Sequence, residues 1–357
     1  MERIAETNPL RSSGGWMLAL AEALISGNQH SLVVATVSKL VKKLTKVSGE
    51  KIEYYVIPYG KGNEKINKEY DYYWKVVNKE VCPDIVHIHG TEFSHGYSFI
   101  NACGSHNVVV SIQGILSACS KYYTYGISRS DIYMNLTLRD LFRGSILRDK
   151  RRFNKRSKYE RKLLSEVNHV IGRTTWDKVQ VLSINSNLNY HFCNEVLRPE
   201  FYIGEKWNYA DCLPHSIFLS QAGYPIKGLH QLLKALPLIL KQFPDTIVRV
   251  AGPDITKCDD LKDIFHYSGY ASYIKHLIRK NNLEDRVKFV GGLTAEEMKH
   301  EYLNANVFIC PSSIENSPNS LCEAQILGVP CIASYVGGIP DLMIGYEENL
   351  YRYEEVE

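Results

Sequence analysis

The chain has 357 residues, 45% hydrophobic and 23% charged, ordinary values for a globular protein with apolar content for two sizeable cores. A formal net charge of +3 is too mild to point to nucleic acid. Nine scattered cysteines without a C-x-x-C pair or zinc-type histidine spacing read as buried thiols of a reducing compartment, and no signal-type leader or apolar span of roughly 18 residues occurs, so the reading is a cytoplasmic protein.

In chain order the first signal is Gly14-Gly15 followed by WMLALAEALI, which places Met17, Leu20, Ala21 and Leu24 on one face of a core-facing helix. Such a glycine turn ordinarily follows a strand, and only polar sequence precedes it, so a first strand is expected to be missing. Predicted strands follow at SLVVATVS from Ser31, KIEYYVIP from Lys51, DIVHIHG from Asp84, NVVVSIQG from Asn107 and HVIGRT from His169. The segment RPEFYIGEKWNYADCLPH, Arg198 to His215, has two prolines and no sustained periodicity, and reads as an interdomain linker. Beyond it come SIFLSQA from Ser216, the helix LHQLLKALPLILKQF, TIVRVAGP from Thr246, RVKFVGG from Arg286, a capping-box helix TAEEMKHE from Thr294, NVFICPS from Asn306, PCIASYVGG from Pro330 and NLYRY from Asn349. A closing helix would be expected after that last strand, but the sequence stops at Glu357, so this helix too is expected to be missing.

Short β-branched runs alternating with helical patterns predict an α/β fold of parallel sheets. The division is an N-terminal domain over 1–200 and a C-terminal domain over 201–357. In open parallel sheets ligands sit beyond the carboxyl ends of the strands, which directs attention to the loops HIHG, SIQG, AGPD and PSSIENSPNS.

The most informative stretch is Pro311 to Met343, PSSIENSPNSLCEAQILGVPCIASYVGGIPDLM. A strand ends at Pro311-Ser312, a polar loop carries Glu315, and a helix from about Asn319 carries Glu323. A helix N-terminus offers unpaired N–H groups and the positive end of its dipole to a diphosphate, and Ser317, Asn319 and Ser320 add donors. Glu323 is then expected to accept from ribose hydroxyls and Glu315 to reach the sugar.

This stretch resembles the E-x7-E signature of family 4 retaining glycosyltransferases, with Gly328-Val329-Pro330 and Val336 to Asp341 matching their following elements. The resemblance implies the GT-B fold, two Rossmann-like domains whose parallel sheets face a central crevice. It implies no cofactor beyond a nucleoside-diphosphate sugar donor and no metal, consistent with the lack of a D-x-D. Lys227, in the segment FLSQAGYPIKGLHQLLKAL, resembles the lysine that contacts donor phosphates, and Leu321 falls in the donor-binding helix. Ala222 stands where members often carry an arginine, so that cation is absent or supplied elsewhere, for example by Arg173 or Lys121. The backbone at Phe289 to Gly291 is placed at the base. In the first half, Gly15 resembles the glycine loop near the donor phosphates, and DIVHIHG places His87 and His89 at the crevice. Gln113 replaces a histidine that contacts the transferred sugar. In the family mechanism the leaving phosphate deprotonates the acceptor, so Glu315, His89 and Gln113 are the candidate catalytic residues.

From Arg139 to Lys162 there are eleven basic and three acidic residues interleaved with apolar ones, among them Leu138, Leu141, Phe142, Ile146, Leu147 and Phe153. The pattern suggests an amphipathic basic helix at an anionic membrane surface, placing the protein at the inner face of the membrane. It equally suits a solvated face beside an acceptor groove. The function expected is transfer of a sugar to the hydroxyl of a carbohydrate or lipid-linked acceptor in surface polysaccharide or glycolipid biosynthesis, with no nucleic acid as partner. The rival readings are a catalytically silent nucleotide-sugar-binding fragment and a sugar-nucleotide epimerase of the same fold.

Overall fold

In the computed structural model of the chain, the described residues are 15–27, 29–58, 68–260 and 263–356. Gly14 and the expected site of a first strand lie outside them. Elements run α1 (Gly15–Ser26), β1 (Leu32–Ser38), β2 (Thr45–Ser48), β3 (Ile52–Pro58), α2 (Lys68–Val81), β4 (Val86–His89), α3 (His95–Cys103) and β5 (Val108–Ser111). Next come α4 (Leu116–Tyr122), α5 (Arg129–Met134), α6 (Leu138–Arg143), α7 (Ile146–Glu166), β6 (His169–Gly172), α8 (Thr175–Ile184) and β7 (Asn189–Phe192). The rest alternates strictly: β8 (Ser216–Leu219), α9 (Leu229–Gln242), β9 (Ile247–Ala251), α10 (Gly269–Lys280), β10 (Val287–Gly291), α11 (Ala295–Asn304), β11 (Val307–Cys310), α12 (Asn319–Leu327), β12 (Cys331–Ser334), α13 (Ile339–Leu342) and β13 (Leu350–Tyr351).

The chain divides into two compact units, each discontinuous: Met1–Ser117 with Asn154–Val196, and Ala118–Phe153 with Leu197–Glu357. The first unit holds a three-stranded sheet in the order β1-β3-β2 and a four-stranded sheet β4-β5-β6-β7. The second holds a six-stranded sheet β10-β9-β8-β11-β12-β13, parallel throughout. The fold is α/β as expected, with parallel pairing everywhere among these strands except β2, which lies antiparallel on β3. That strand, TKVS, is a half-exposed edge too short to announce itself.

Periodicity serves well where a helix has one apolar stripe. Leu229, Leu232, Leu233 and Leu236 of α9 are all buried, and the Thr294–Glu297 capping box opens α11 as expected. It fails for α1, where Met17 and Leu24 are exposed and Ala19 is buried. GWMLALAEALIS is apolar on nearly every side, so spacing alone does not choose its packed face.

The stretch read as a linker is mostly exposed but anchored at points. Phe201 is fully buried against Tyr302 in the second core, and the Trp207 indole donates to the Ala305 carbonyl at 2.7 Å. The single basic helix expected over Arg139–Lys162 is also corrected. Gly144, at φ +87°, ends α6 and separates it from α7. Ile146 is buried, and Phe153 packs on Tyr123 with ring centroids 4.9 Å apart, so neither belongs to an exposed apolar face.

Candidate active site

Strand β11 ends at Cys310, and the loop to α12 is polar yet fixed. Ser312 and Ser313 are buried. The Ser334 hydroxyl donates to the Ser312 carbonyl at 2.6 Å, the Ser313 N–H donates to the Ile226 carbonyl at 2.8 Å, and the Ser313 hydroxyl donates to the Tyr122 carbonyl at 3.0 Å. Each of these buried polar groups is thereby paired, the condition for a loop to hold one shape inside a protein.

Two glycines bring other segments against this loop. Gly228 has φ +73°, and a Cβ there would lie 1.6 Å from the Pro311 carbonyl oxygen. Gly337 has φ +55°, and its Cβ would lie 1.9 Å from the Glu315 carbonyl oxygen. No other residue permits either approach. The Gly338 N–H then donates to that same Glu315 carbonyl at 3.0 Å.

These approaches place Lys227 on Glu315. The ammonium lies 2.6 Å from the carboxylate, which also accepts from the Ser312 hydroxyl at 2.8 Å. Lys227 stands 5.8 Å from the Tyr224 ring centroid. Burial disfavours its charge, but the Glu315 carboxylate and Tyr224 more than offset this and hold the ammonium above its ordinary pKa. Burial in turn pushes the Tyr224 phenol up, with Lys227 opposing. Two residues singled out from sequence, 88 positions apart, are thus one ion pair.

Helix α12 begins just beyond. Pro318 occupies its cap position and makes no side-chain hydrogen bond to the first turn. Ser317, Asn319 and Ser320 are partly exposed around that turn. The Leu321 side chain is fully buried in the core, and its N–H donates to the Pro318 carbonyl at 3.0 Å. Glu323 is enclosed as well. One oxygen accepts from Arg198 Nε at 3.0 Å and Nη2 at 2.9 Å, and the other accepts from the Tyr302 hydroxyl at 3.3 Å. Burial raises its pKa and Arg198 opposes the rise. Arg198 and Tyr302 escape a reading of the sequence because neither belongs to a motif. Toward the third strand, Gly291 exchanges both backbone hydrogen bonds with Gly252, so those two groups are already satisfied.

In the first unit, His87 and His89 share one face of β4 with ring centroids 4.0 Å apart. His87 meets the Ser111 hydroxyl at 2.5 Å, and burial lowers its pKa to about 4 with His89 adding to the effect. Burial also lowers His89, against the pull of Glu195. The Gln113 amide donates to Glu195, and Arg173 pairs with the same carboxylate at 2.7 Å while donating to the Ile112 carbonyl at 3.1 Å. Arg173, one of the cations considered in place of the missing arginine, is therefore committed here, and Ala222 is itself buried. Gly15 is the first residue of α1. Glu195 carries no sequence signal. Among the described residues no group of three or more His, Cys, Asp or Glu side chains is placed to hold a metal ion.

Comparison with known proteins agrees with this architecture. Residues 214–351 match the family described as Glycosyl transferases group 1. The amylovoran biosynthesis glycosyltransferase AmsK of Erwinia amylovora is 35% identical over 130 residues, 32% of this chain and 31% of that protein. The chain spans less than half the length of this and other curated relatives that it matches. Among solved structures, sucrose-phosphate synthase from Thermosynechococcus elongatus superposes with a TM-score of 0.65 at 18% identity, covering 96% of this chain and 80% of that one. An Escherichia coli structure described as trehalose-6-phosphate bound with UDP-2-fluoro glucose gives 0.61 at 10% identity, covering 98% and 88%. The fold is GT-B.

Proposed function

Taking residues 214–351 as a group 1 glycosyl transferase domain, we propose that the chain transfers a sugar from a nucleoside-diphosphate donor to an acceptor hydroxyl. The transfer proceeds with retention and without a metal, in surface polysaccharide or glycolipid assembly. The observation that carries this reading is the Lys227–Glu315 pair, set by two obligatory glycines on the loop that leads into the N-terminus of α12. The UDP-2-fluoro glucose bound in the Escherichia coli structure supports the donor class, and the biosynthetic role in the name of AmsK supports the setting.

In this scheme the donor diphosphate takes the first turn of α12, where Asn319 and Ser320 present backbone N–H groups and the helix dipole favours negative charge. Lys227 neutralises charge that grows on the leaving phosphate, an interaction stronger in the transition state than in the ground state. Glu315, already orienting Lys227, accepts from sugar hydroxyls with its remaining lone pairs. Glu323 acts at the ribose through the acceptor capacity left by Arg198 and Tyr302, and the Arg198 fork fixes its direction. Within the first unit, Gln113, oriented by Glu195, and His89 are groups able to hydrogen-bond a hydroxyl. The acceptor proton passes to the leaving phosphate, and no side-chain base is required.

The test is a transfer assay with Glu315→Gln. The variant should bind nucleotide as the parent does and lose turnover on the order of 10²-fold; equal turnover would set the assignment aside. A second reading, donor binding without transfer, is favoured by Ala222 in place of a cation and by the prior engagement of Glu323. It predicts nucleotide binding with no turnover on any acceptor.

A further inference from the structure

Helix α6 reverses the ordinary arrangement of a surface helix, which turns its apolar stripe inward. Leu138, Leu141 and Phe142, spaced i, i+3 and i+4 and so on one face, are 54%, 71% and 73% exposed. The polar side is the buried one. Asp140 is 6% exposed; its carboxylate accepts from the Gly269 N–H at 2.8 Å and closes a capping box with Thr137. The Thr137 hydroxyl donates to the Tyr267 carbonyl at 2.7 Å. Gly269 is required for this contact, since a Cβ there would lie 2.4 Å from the Asp140 carboxylate. The outward apolar face is therefore held by a specific buried network.

Just before α6 in the chain, Tyr133, Met134 and Leu136 are exposed as well. A concentration of large exposed apolar side chains of this kind marks an interaction site. Its border is basic. Arg143 ends α6, and Arg148 and Arg151 are exposed at the start of α7. The nearby acids are already engaged, Asp140 within its network and Asp149 on Arg152 at 3.1 Å. The chemistry of large aliphatic and aromatic side chains bordered by arginines matches acyl chains beneath anionic headgroups. A polyanion such as nucleic acid would engage the arginines and leave the aliphatic stripe without a partner.

We propose that this surface docks on an anionic lipid bilayer, with Leu138, Leu141 and Phe142 entering the interface and Arg143, Arg148 and Arg151 resting on headgroup phosphates. The proposal does not depend on the catalytic reading. The experiment is co-sedimentation of the full chain with phosphatidylcholine vesicles, alone or with about one-third phosphatidylglycerol. The expected result is binding that requires phosphatidylglycerol, falls at least tenfold in Leu141→Glu/Phe142→Glu, and loses its lipid-charge dependence in Arg143→Glu/Arg148→Glu/Arg151→Glu. All of these side chains are exposed, so the variants should keep the circular dichroism of the parent, and the parent's response to lipid charge decides independently of them. Absence of binding to either vesicle, or equal binding by the double variant, would overturn the proposal. So would a lipid-free dimer in analytical ultracentrifugation that Leu141→Glu dissociates, since a second copy would then cover the patch.

Discussion

Glu315 and Glu323 lie on one short segment, yet their surroundings assign them different work. Glu315 faces a lysine across 2.6 Å and is only partly buried, whereas Glu323 is enclosed by an arginine fork and a tyrosine. Glu323→Ala should therefore cost stability as well as donor affinity, about 2 kcal/mol from stranding Arg198 and Tyr302, read as a lowered urea midpoint. Glu315→Gln removes the charge that offsets the burial of Lys227 and should lower the midpoint too, by about 1–3 kcal/mol. An unchanged midpoint in either variant would contradict these engagements. Gly228→Ala brings a Cβ into the Pro311 carbonyl and should destabilise by on the order of 3 kcal/mol.

His230 offers a pH test at the same scale. It is fully buried, meets the Tyr125 carbonyl at 3.1 Å and the Tyr353 hydroxyl at 3.0 Å, and burial lowers its pKa to about 3. The unfolded chain takes up a proton near pH 6.5 that folded His230 refuses until about pH 3, so its contribution is full above that range and is lost as pH falls through it. Glu92, pushed by burial up to about 7, has the opposite sign, because its protonated folded form gains as pH falls. The informative quantity is thus the stability gap between the parent and His230→Gln, which should narrow by up to about 2 kcal/mol from pH 7 to pH 5. A gap independent of pH would contradict the burial argument.

At the scale of elements, strands and helices are legible wherever one period dominates. Leu229 to Leu236 and the Thr294 capping box are examples. The uniformly apolar α1 and the four-residue edge strand β2 offer no such contrast, and the aromatic segment from Arg198 lacks periodicity because Phe201 and Trp207 pack as isolated anchors. The reversal of α6 is hidden for a related reason: its inward partner is a single aspartate whose acceptor role depends on a backbone N–H 129 residues away. Asp140→Ala removes the reciprocal half of the capping box and that bond, and should destabilise by about 2 kcal/mol, checked by thermal unfolding with Asp285→Ala as an exposed-surface control. The candidate site is more legible than these elements because Lys227, Gly228, Glu315 and Gly337 stand inside the motif segments of the sequence, even though Lys227 and Glu315 meet across 88 positions. Arg198, Tyr302 and Glu195 belong to no such segment.

For the whole molecule, linear reading places one boundary near residue 200, while the compact units exchange at Ser117, Phe153 and Val196. Residues 118–153 join the unit that contains the matched domain, through contacts such as Tyr122 with Ser313 and Tyr125 with His230. The central claim is that this unit grips a nucleotide-sugar through Lys227 and the N-terminus of α12. A thermal-shift titration of nucleoside-diphosphate sugars against the full chain and Lys227→Met tests it most directly, because ligand stabilisation grows with the logarithm of saturation. The account predicts that at least one such donor raises the parent's midpoint progressively and leaves that of Lys227→Met nearly still. Identical shifts in both proteins, or no shift with any donor, would contradict it.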